Sequence, residues 1–261
     1  MNFHVDKAKF LSLYPDKEAV TDENCGNTIN YETDKDEDRK ISDPFANKSS
    51  ECGPCSKILT TDEVLSLVLK CANFAAEKHS RQRRKDLEET PYINHPIGVA
   101  NILTNEGGVY DPVVILAALL HDTVEDTDTT FDEIEKEFGE TVSRVVEEVT
   151  DDKSLPKAER KLQQIITSKN RSREAKLVKL ADKIYNLRDL QKGAPVGWSD
   201  VRVREYFQWA KKVVDNCRGT NAALENILDK IFAEQCKNTK KNCKCTKTLA
   251  PDCVESYLCI N

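Results

Sequence analysis

Apolar residues recur at three- and four-residue spacing from Thr60 to Ala233, and no stretch alternates for long enough to read as a strand. The first stripe is Val64, Leu67, Val68, Cys71, Ala72 and Ala75, introduced by the capping box Thr60-Thr61-Asp62-Glu63. It predicts a helix running to about His79. Pro91-Tyr92-Ile93-Asn94 reads as extended, and Pro96 suits the first turn of a second helix carrying Ile97, Ala100 and Leu103, closed by Gly107-Gly108. Asp111-Pro112 caps and starts a third. Its run from Val113 to Leu120 is wholly apolar and offers water no polar face, so it can only be buried. That run ends abruptly in His121-Asp122, and Glu125-Asp126 follows three residues on.

Further helices follow in the same way. Thr130-Phe131-Asp132-Glu133 is a second capping box, opening a short helix that Gly139 ends. Val142, Val145, Val146 and Val149 stripe the next, and Pro156 starts another with Leu162, Ile165 and Ile166. Arg173 to Asp189 carries Leu177, Val178, Ala181, Ile184 and Tyr185 on its inner face. Ser199-Asp200 begins a helix with Tyr206, Phe207, Ala210, Val213 and Val214, ended near Gly219. Asn221 caps the last, with Leu224, Ile227, Leu228 and Ile231. The expected fold is all-α, a helical domain over residues 59–233 with an extension at each end.

The extensions change the picture of the whole chain. Of its 261 residues, 39% are apolar and 32% charged, and the polar ends dilute an ordinary domain. Residues 1–58 pass from a short apolar patch into an acidic segment with little to bury, and are expected to be a disordered extension. There Cys52-Gly53-Pro54-Cys55 resembles the dithiol motif of thioredoxins, but no strand leads into it, and an exposed loop is the plainer reading. Residues 234–261 form a Cys/Lys-rich tail, either a zinc or partner site or a flexible end. Eight of the ten cysteines lie in these two ends, and disulfides there would need an oxidising compartment that nothing else in the sequence supports.

A net charge of −6 argues against a general nucleic-acid or membrane surface. No apolar run approaches the roughly 20 residues of a membrane span, and the first residues lack the apolar core of a secretory signal. A cytoplasmic location is the default expectation. Protein partners are not legible.

The chemistry gathers at the end of the buried run. A histidine and carboxylates at the mouth of such an element are costly unless something binds them. His95, before Pro96, can turn inward at a helix start, and Asp182 stands beside the inner face of its helix. Each alone is more often hydrogen-bonded structure than ligand. Together, two imidazoles and two carboxylates make a mixed N/O site that suits Mn, Fe or Zn better than Mg. Arg81, Arg83, Arg84 and Lys85 form one dense basic cluster, which by itself could be a solvated helix end.

These residues sit in longer blocks: Arg83-Arg84-Lys85-Asp86, Pro91-Tyr92-Ile93-Asn94-His95-Pro96, and Leu119-Leu120-His121-Asp122-Thr123-Val124-Glu125-Asp126-Thr127. Glu148-Val149-Thr150-Asp151-Asp152-Lys153 and Lys179-Leu180-Ala181-Asp182-Lys183-Ile184-Tyr185-Asn186-Leu187-Arg188 complete them. Over about residues 62–232 the chain resembles the HD-domain phosphohydrolases, more closely the hydrolase domain of the RelA/SpoT enzymes, and most closely their small single-domain animal relatives. The ends fall outside the likeness.

The resemblance implies an HD-domain helical bundle and metal-dependent hydrolysis of the 3′-pyrophosphate of ppGpp and pppGpp, giving GDP or GTP and pyrophosphate. It implies one Mn²⁺ held by His95, His121, Asp122 and Asp182, with Glu125 and Asp126 catalytic. It places Arg84 and Lys85 on the nucleotide, and Lys153, Asn186, Arg188, Arg202 and Tyr206 as further pocket residues. The physical chemistry agrees: a bound divalent ion lowers the pKa of its water from about 15.7 toward ~7 in the best cases. An adjacent carboxylate that orients the water or shuttles its proton adds on the order of 10²–10⁴-fold, and repulsion within a carboxylate pair raises one pKa. Two rivals remain at this point. One keeps the site and removes the 2′-phosphate of NADPH; the other is a non-catalytic, metal-stabilised binding module whose Cys-rich ends recruit a partner.

Overall fold

The computed structural model describes residues 60–242, with side chains to residue 238. The chain divides into Met1–Cys55 and Ser56–Asn261, and everything described falls in the second unit. Cys52-Gly53-Pro54-Cys55 and most of the tail lie outside the described residues. Of the eight terminal cysteines only Cys236 is within them, and it is disulfide-bonded.

Among the described residues the regular structure is helical. Ten helices follow in order: α1 Thr61–Lys78, α2 Asn94–Asn105, α3 Pro112–Leu120, α4 Thr123–Asp126, α5 Phe131–Phe138, α6 Glu140–Val149, α7 Lys157–Ser168, α8 Arg173–Lys192, α9 Asp200–Asp215 and α10 Ala222–Asn242. A lone antiparallel bridge between Arg83 and Pro91 pins the loop between α1 and α2. No described helix is long and apolar enough to cross a membrane.

The all-apolar α3 is the axis of the bundle. Every residue from Val114 to Leu120 is buried, and α1, α2, α6 and α8 pack around it. Each fully buried Leu, Ile or Val contributes about 1.5–3 kcal/mol relative to exposure, so this short helix is a large part of the core. Its first turn is fixed as expected, with Asp111 accepting from the Val113 N–H and Pro112 at the first helical position. Helix α8 crosses the bundle, with Leu177, Val178, Leu180, Ala181, Ile184 and Leu187 buried against α2, α3 and α10.

Most caps fall where the sequence puts them. Thr60 and Glu63 form both bonds of their capping box, and Ser199 and Asn221 cap α9 and α10. Gly139 ends α5 at φ 93°, a left-handed conformation that a residue with a Cβ would strain to adopt. Four details differ. Thr130 caps α5, but the Glu133 carboxylate reaches Lys78 at 3.0 Å. Helix α9 stops at Asp215, short of Gly219, and α10 continues beyond residue 233 to Asn242. On α7 the expected inner residues Leu162 and Ile166 are 52% and 57% exposed; that helix rests mainly on α9, where Trp209 Nε1 donates to Lys161 O and Asn216 Nδ2 to Ile165 O, each at 3.0 Å.

The candidate metal centre and its cavity

Four elements deliver the four expected ligands to one point. His95 lies in the first turn of α2, 1% exposed, with its backbone N–H bonded to Tyr92 O at 2.9 Å. His121 follows the last residue of α3. Asp122 precedes the single turn of α4, and Asp182 stands midway along α8. His95 Nε2 is 3.2 Å from His121 Nε2, 3.5 Å from Asp122 Oδ2 and 3.2 Å from Asp182 Oδ1. His121 Nε2 is 3.1 Å from Asp122 Oδ2 and 3.9 Å from Asp182 Oδ1. Donor atoms of His95, His121 and Asp122 lie within 4.8 Å of one another, the spacing of a shared ion.

The surroundings fix which atoms face inward. His121 Nδ1 lies 2.8 Å from Ala118 O, so it carries a hydrogen and leaves Nε2 as a lone pair toward the cluster. Tyr92 donates its hydroxyl to Asp122 Oδ2 at 2.6 Å, and Lys183 holds Asp182 Oδ2 at 2.8 Å. Asn186 donates to the other Asp182 oxygen at 2.5 Å. Tyr185 sets its ring edge against His95, centroids 4.8 Å apart.

The charges demand a cation. Burial opposes ionisation of Asp122 and Asp182, yet Asp122 is held well below the carboxylate range by His121 and His95, and Asp182 by Lys183 and His95. Burial alone would push His121 down; Asp122 beside it, then Asp182, lift it to about 9. In His95 burial wins and the pKa falls. Two carboxylates held in their ionised form thus face two imidazoles at the cluster. A divalent ion would compensate their charge, and the N/O donor set fits one.

One turn beyond the ligands, Glu125 and Asp126 occupy different environments. Glu125 is raised to about 7, first by burial, then by the charges of Asp122, Asp151 and Asp126, and its nearest cation is Arg160 at 3.4 Å. Asp126 is held at both oxygens, by Lys153 Nζ at 2.8 Å and Gln82 Nε2 at 2.9 Å. A pair with unequal environments can divide acid–base work from orientation.

Beside the ligands opens a cavity of about 780 Å³. One wall is the basic loop after α1, a second is the face of α8 bearing Tyr185, Asn186 and Asp189, and a third carries Trp198 and Tyr206. Arg84 reaches across it, 3.0 Å from Asn186 Oδ1 and 2.9 Å from Asp189 Oδ2, with its guanidinium over the Tyr92 and Tyr185 rings. Lys85 lines the same wall, and its carbonyl accepts from Val196 N at 2.9 Å. In Tyr206 burial raises the phenol to about 12. Lys153 meets the cavity only through its pair with Asp126, and Arg202 only through Trp198, with its guanidinium 4.2 Å from the ring centroid.

Arg188 does not join them. Two residues beyond Asn186 on a helix is a rotation of about 200°, and its guanidinium instead makes a two-point pair with Glu106 at 2.6 and 2.8 Å. The structure therefore does not bring Arg188 to the cavity with the other expected pocket residues. Conversely, Tyr92, Gln82, Lys183, Tyr185 and Trp198 take part without having been singled out. The α8 set had a usable signal, because Asp182, Tyr185, Asn186 and Asp189 repeat at i, i+3, i+4 and i+7 on one face. Trp198 sits in a loop and had none.

A helical bundle in which a His-Asp pair closes a buried helix and meets a distant His and Asp is the arrangement that the resemblance to HD-domain phosphohydrolases implies. The family model for the HD domain matches residues 71–202, and the chain belongs to that family. The guanosine-3′,5′-bis(diphosphate) 3′-pyrophosphohydrolase MESH1 of Xenopus tropicalis is 64% identical over 170 residues, 65% of this chain and 95% of that protein. Its human counterpart is 62% identical over 168 residues, 64% of this chain and 94% of that one. Among solved structures, one described as "A metazoan ortholog of SpoT hydrolyzes ppGpp and plays a role in starvation responses" matches with a TM-score of 0.64. It is 53% identical and covers 69% of this chain and 98% of that one.

Proposed function

We propose that the chain hydrolyses the 3′-pyrophosphate of ppGpp and pppGpp, using Mn²⁺ held by His95, His121, Asp122 and Asp182. The observation that carries this is the convergence of those four side chains beside a cavity of about 780 Å³ lined by Asp126 and by Tyr92, the residue that holds Asp122, with Glu125 poised near neutrality one turn away. The names borne by relatives more than 60% identical support the substrate. When bound, the ion supplies Lewis-acid polarisation of a phosphoryl oxygen and a more acidic water.

The chain's own residues supply the rest. Glu125, with a pKa of about 7, suits the base that takes the proton of the attacking water. As water adds at the phosphorus attached to O3′, the O3′–P bond breaks, pyrophosphate leaves and a proton returns to O3′. Asp126, fixed by Lys153 and Gln82, orients the reacting groups. Arg84 presents a guanidinium held by Asn186 and Asp189, already desolvated and oriented for phosphate. Lys85, Lys153 and Arg202 add positive charge around the mouth, while Tyr206 and Trp198 offer aromatic faces to the nucleoside.

The test is a paired assay of ppGpp and NADPH with metals varied in turn. Release of pyrophosphate from ppGpp at a higher kcat/KM than phosphate from NADPH, with Mn²⁺ the best ion, is expected. Negligible ppGpp turnover in Mn²⁺ sinks the reading.

A further inference from the structure

A third buried histidine stands close to the reacting groups and no step above uses it. His79 closes α1, is 2% exposed, and places Nδ1 2.6 Å from Gln82 Oε1. The other end of that amide, Gln82 Nε2, lies 2.9 Å from Asp126 Oδ2. Above the imidazole lies the Tyr92 ring, centroids 4.9 Å apart and tilted by 35°, whose hydroxyl holds Asp122. The backbone ties the same three residues: Gln82 N donates to His79 O at 2.9 Å, and Tyr92 N to Gln82 O at 3.1 Å.

The Gln82 amide has one workable orientation. A carboxylate only accepts, so the NH₂ must face Asp126, and the amide oxygen is left facing the imidazole. That oxygen accepts in turn, so His79 carries its hydrogen on Nδ1. His79 Nε2 is buried with no partner among the described residues, so Gln82 is the one hydrogen-bonding contact of the ring there.

We propose that His79 is a positioning residue for the reaction. Through the fixed amide of Gln82 it sets the orientation of Asp126. The inference rests on the reading that Asp126 acts on the nucleotide. Asp126 is half-exposed at the cavity edge, and Lys153, its other partner, is a flexible chain at the surface. The buried imidazole is the rigid end of the arrangement, and misplacement of a reacting group by about 1 Å can cost on the order of 10²-fold in rate.

The experiment is a double-mutant cycle on the full chain with Mn²⁺. Gln82→Met removes the donor to Asp126 and should lower kcat about tenfold, within the range of lost orientation, with KM little changed. His79→Phe keeps a ring under Tyr92 and deletes the Nδ1 hydrogen, and should lose as much. The double variant should lose no more than either alone. His79→Asn returns an amide N–H near the Nδ1 position and should recover most of kcat. Losses that multiply in the double variant, or an Asn variant as slow as the Phe variant, overturn the proposal. A readout without turnover separates it from the substrate reading: ¹⁵N-histidine spectra should show His79 as the Nδ1–H tautomer, and the Asp126 carboxyl resonance should move in Gln82→Met. The opposite tautomer, or an unmoved resonance, overturns the proposal even if ppGpp is not the substrate.

Discussion

The hydroxyl of Tyr92 donates to Asp122 Oδ2 at 2.6 Å, so a residue from the loop before α2 aligns a ligand that follows α3. Asp122 already faces His121 through the same oxygen at 3.1 Å, and the tyrosine decides which lone pair is left for an ion. Removing such an outer partner typically costs about 10–100-fold in metal affinity. Tyr92→Phe should therefore weaken Mn²⁺ binding by that factor in a calorimetric titration while leaving the fold intact. Unchanged affinity would show that Asp122 is aligned by the backbone alone.

The pH dependence follows from Glu125. Burial and the charges of Asp122, Asp151 and Asp126 hold it near 7, and as a base it must be ionised, so kcat/KM should rise with pH through its titration. A cation on Asp122 cancels part of the push upward. The acid limb of the Mn²⁺-loaded protein should thus lie below about 7, and should move up when the ion is bound more weakly. Glu125→Gln should flatten that limb along with the rate; a limb that persists unshifted in this variant assigns the titration elsewhere.

Gly98 leaves room for a ring. A Cβ there would lie 2.1 Å from Tyr185 Cε2 and 2.6 Å from Cδ2, so Tyr185 would have to move off the edge of His95 and away from Arg84. Overpacking of this kind costs about 1–3 kcal/mol. Gly98→Ala should lower the melting temperature and raise KM, since the displaced ring forms a wall of the cavity. An unchanged melting temperature and KM would mean that the ring has a free alternative place.

Much of this was legible in the chain because burial and coordination leave short-range marks. A run such as Val113–Leu120 can only be a core element, and a His-Asp pair after it has few structural explanations. The meeting of His95, His121, Asp122 and Asp182 and the all-helical class follow from that, aided by the family blocks. What was not legible depends on rotation and on long-range pairing. Arg188 shares a block with Asn186 but points the other way to Glu106, and Leu162 and Ile166 look like core on their own helix. Tyr92 and Gln82 gain their roles only when the loop at 80–92 folds back on itself through the Arg83–Pro91 bridge.

The boundaries of the working unit can be set from the fold. We expect residues 60–242 to hold every group the reaction needs, since the capped start of α1 and the end of α10 enclose the ligands and the cavity. A protein trimmed to that range should keep kcat within about twofold, the scatter of surface changes of ±0.5 kcal/mol. Loss of turnover on trimming would give the ends a role in the site.

Metal binding and chemistry should come apart in two neighbouring carboxylates. With the ion bound only to the folded chain, Mn²⁺ at 100 times its Kd adds about 2.7 kcal/mol of stability, so the melting temperature should climb with Mn²⁺ concentration. Asp122→Ala removes a ligand at the centre of the cluster, and should abolish both that climb and turnover. Glu125→Ala leaves the four ligands in place, so the climb should remain while kcat falls by about 10²–10⁴-fold, the usual contribution of a positioned acid–base group. A Glu125→Ala protein that still turns over would move the base to another residue. One that no longer responds to Mn²⁺ would make Glu125 a ligand, and the separation between the buried cluster and the single turn of α4 would be wrong.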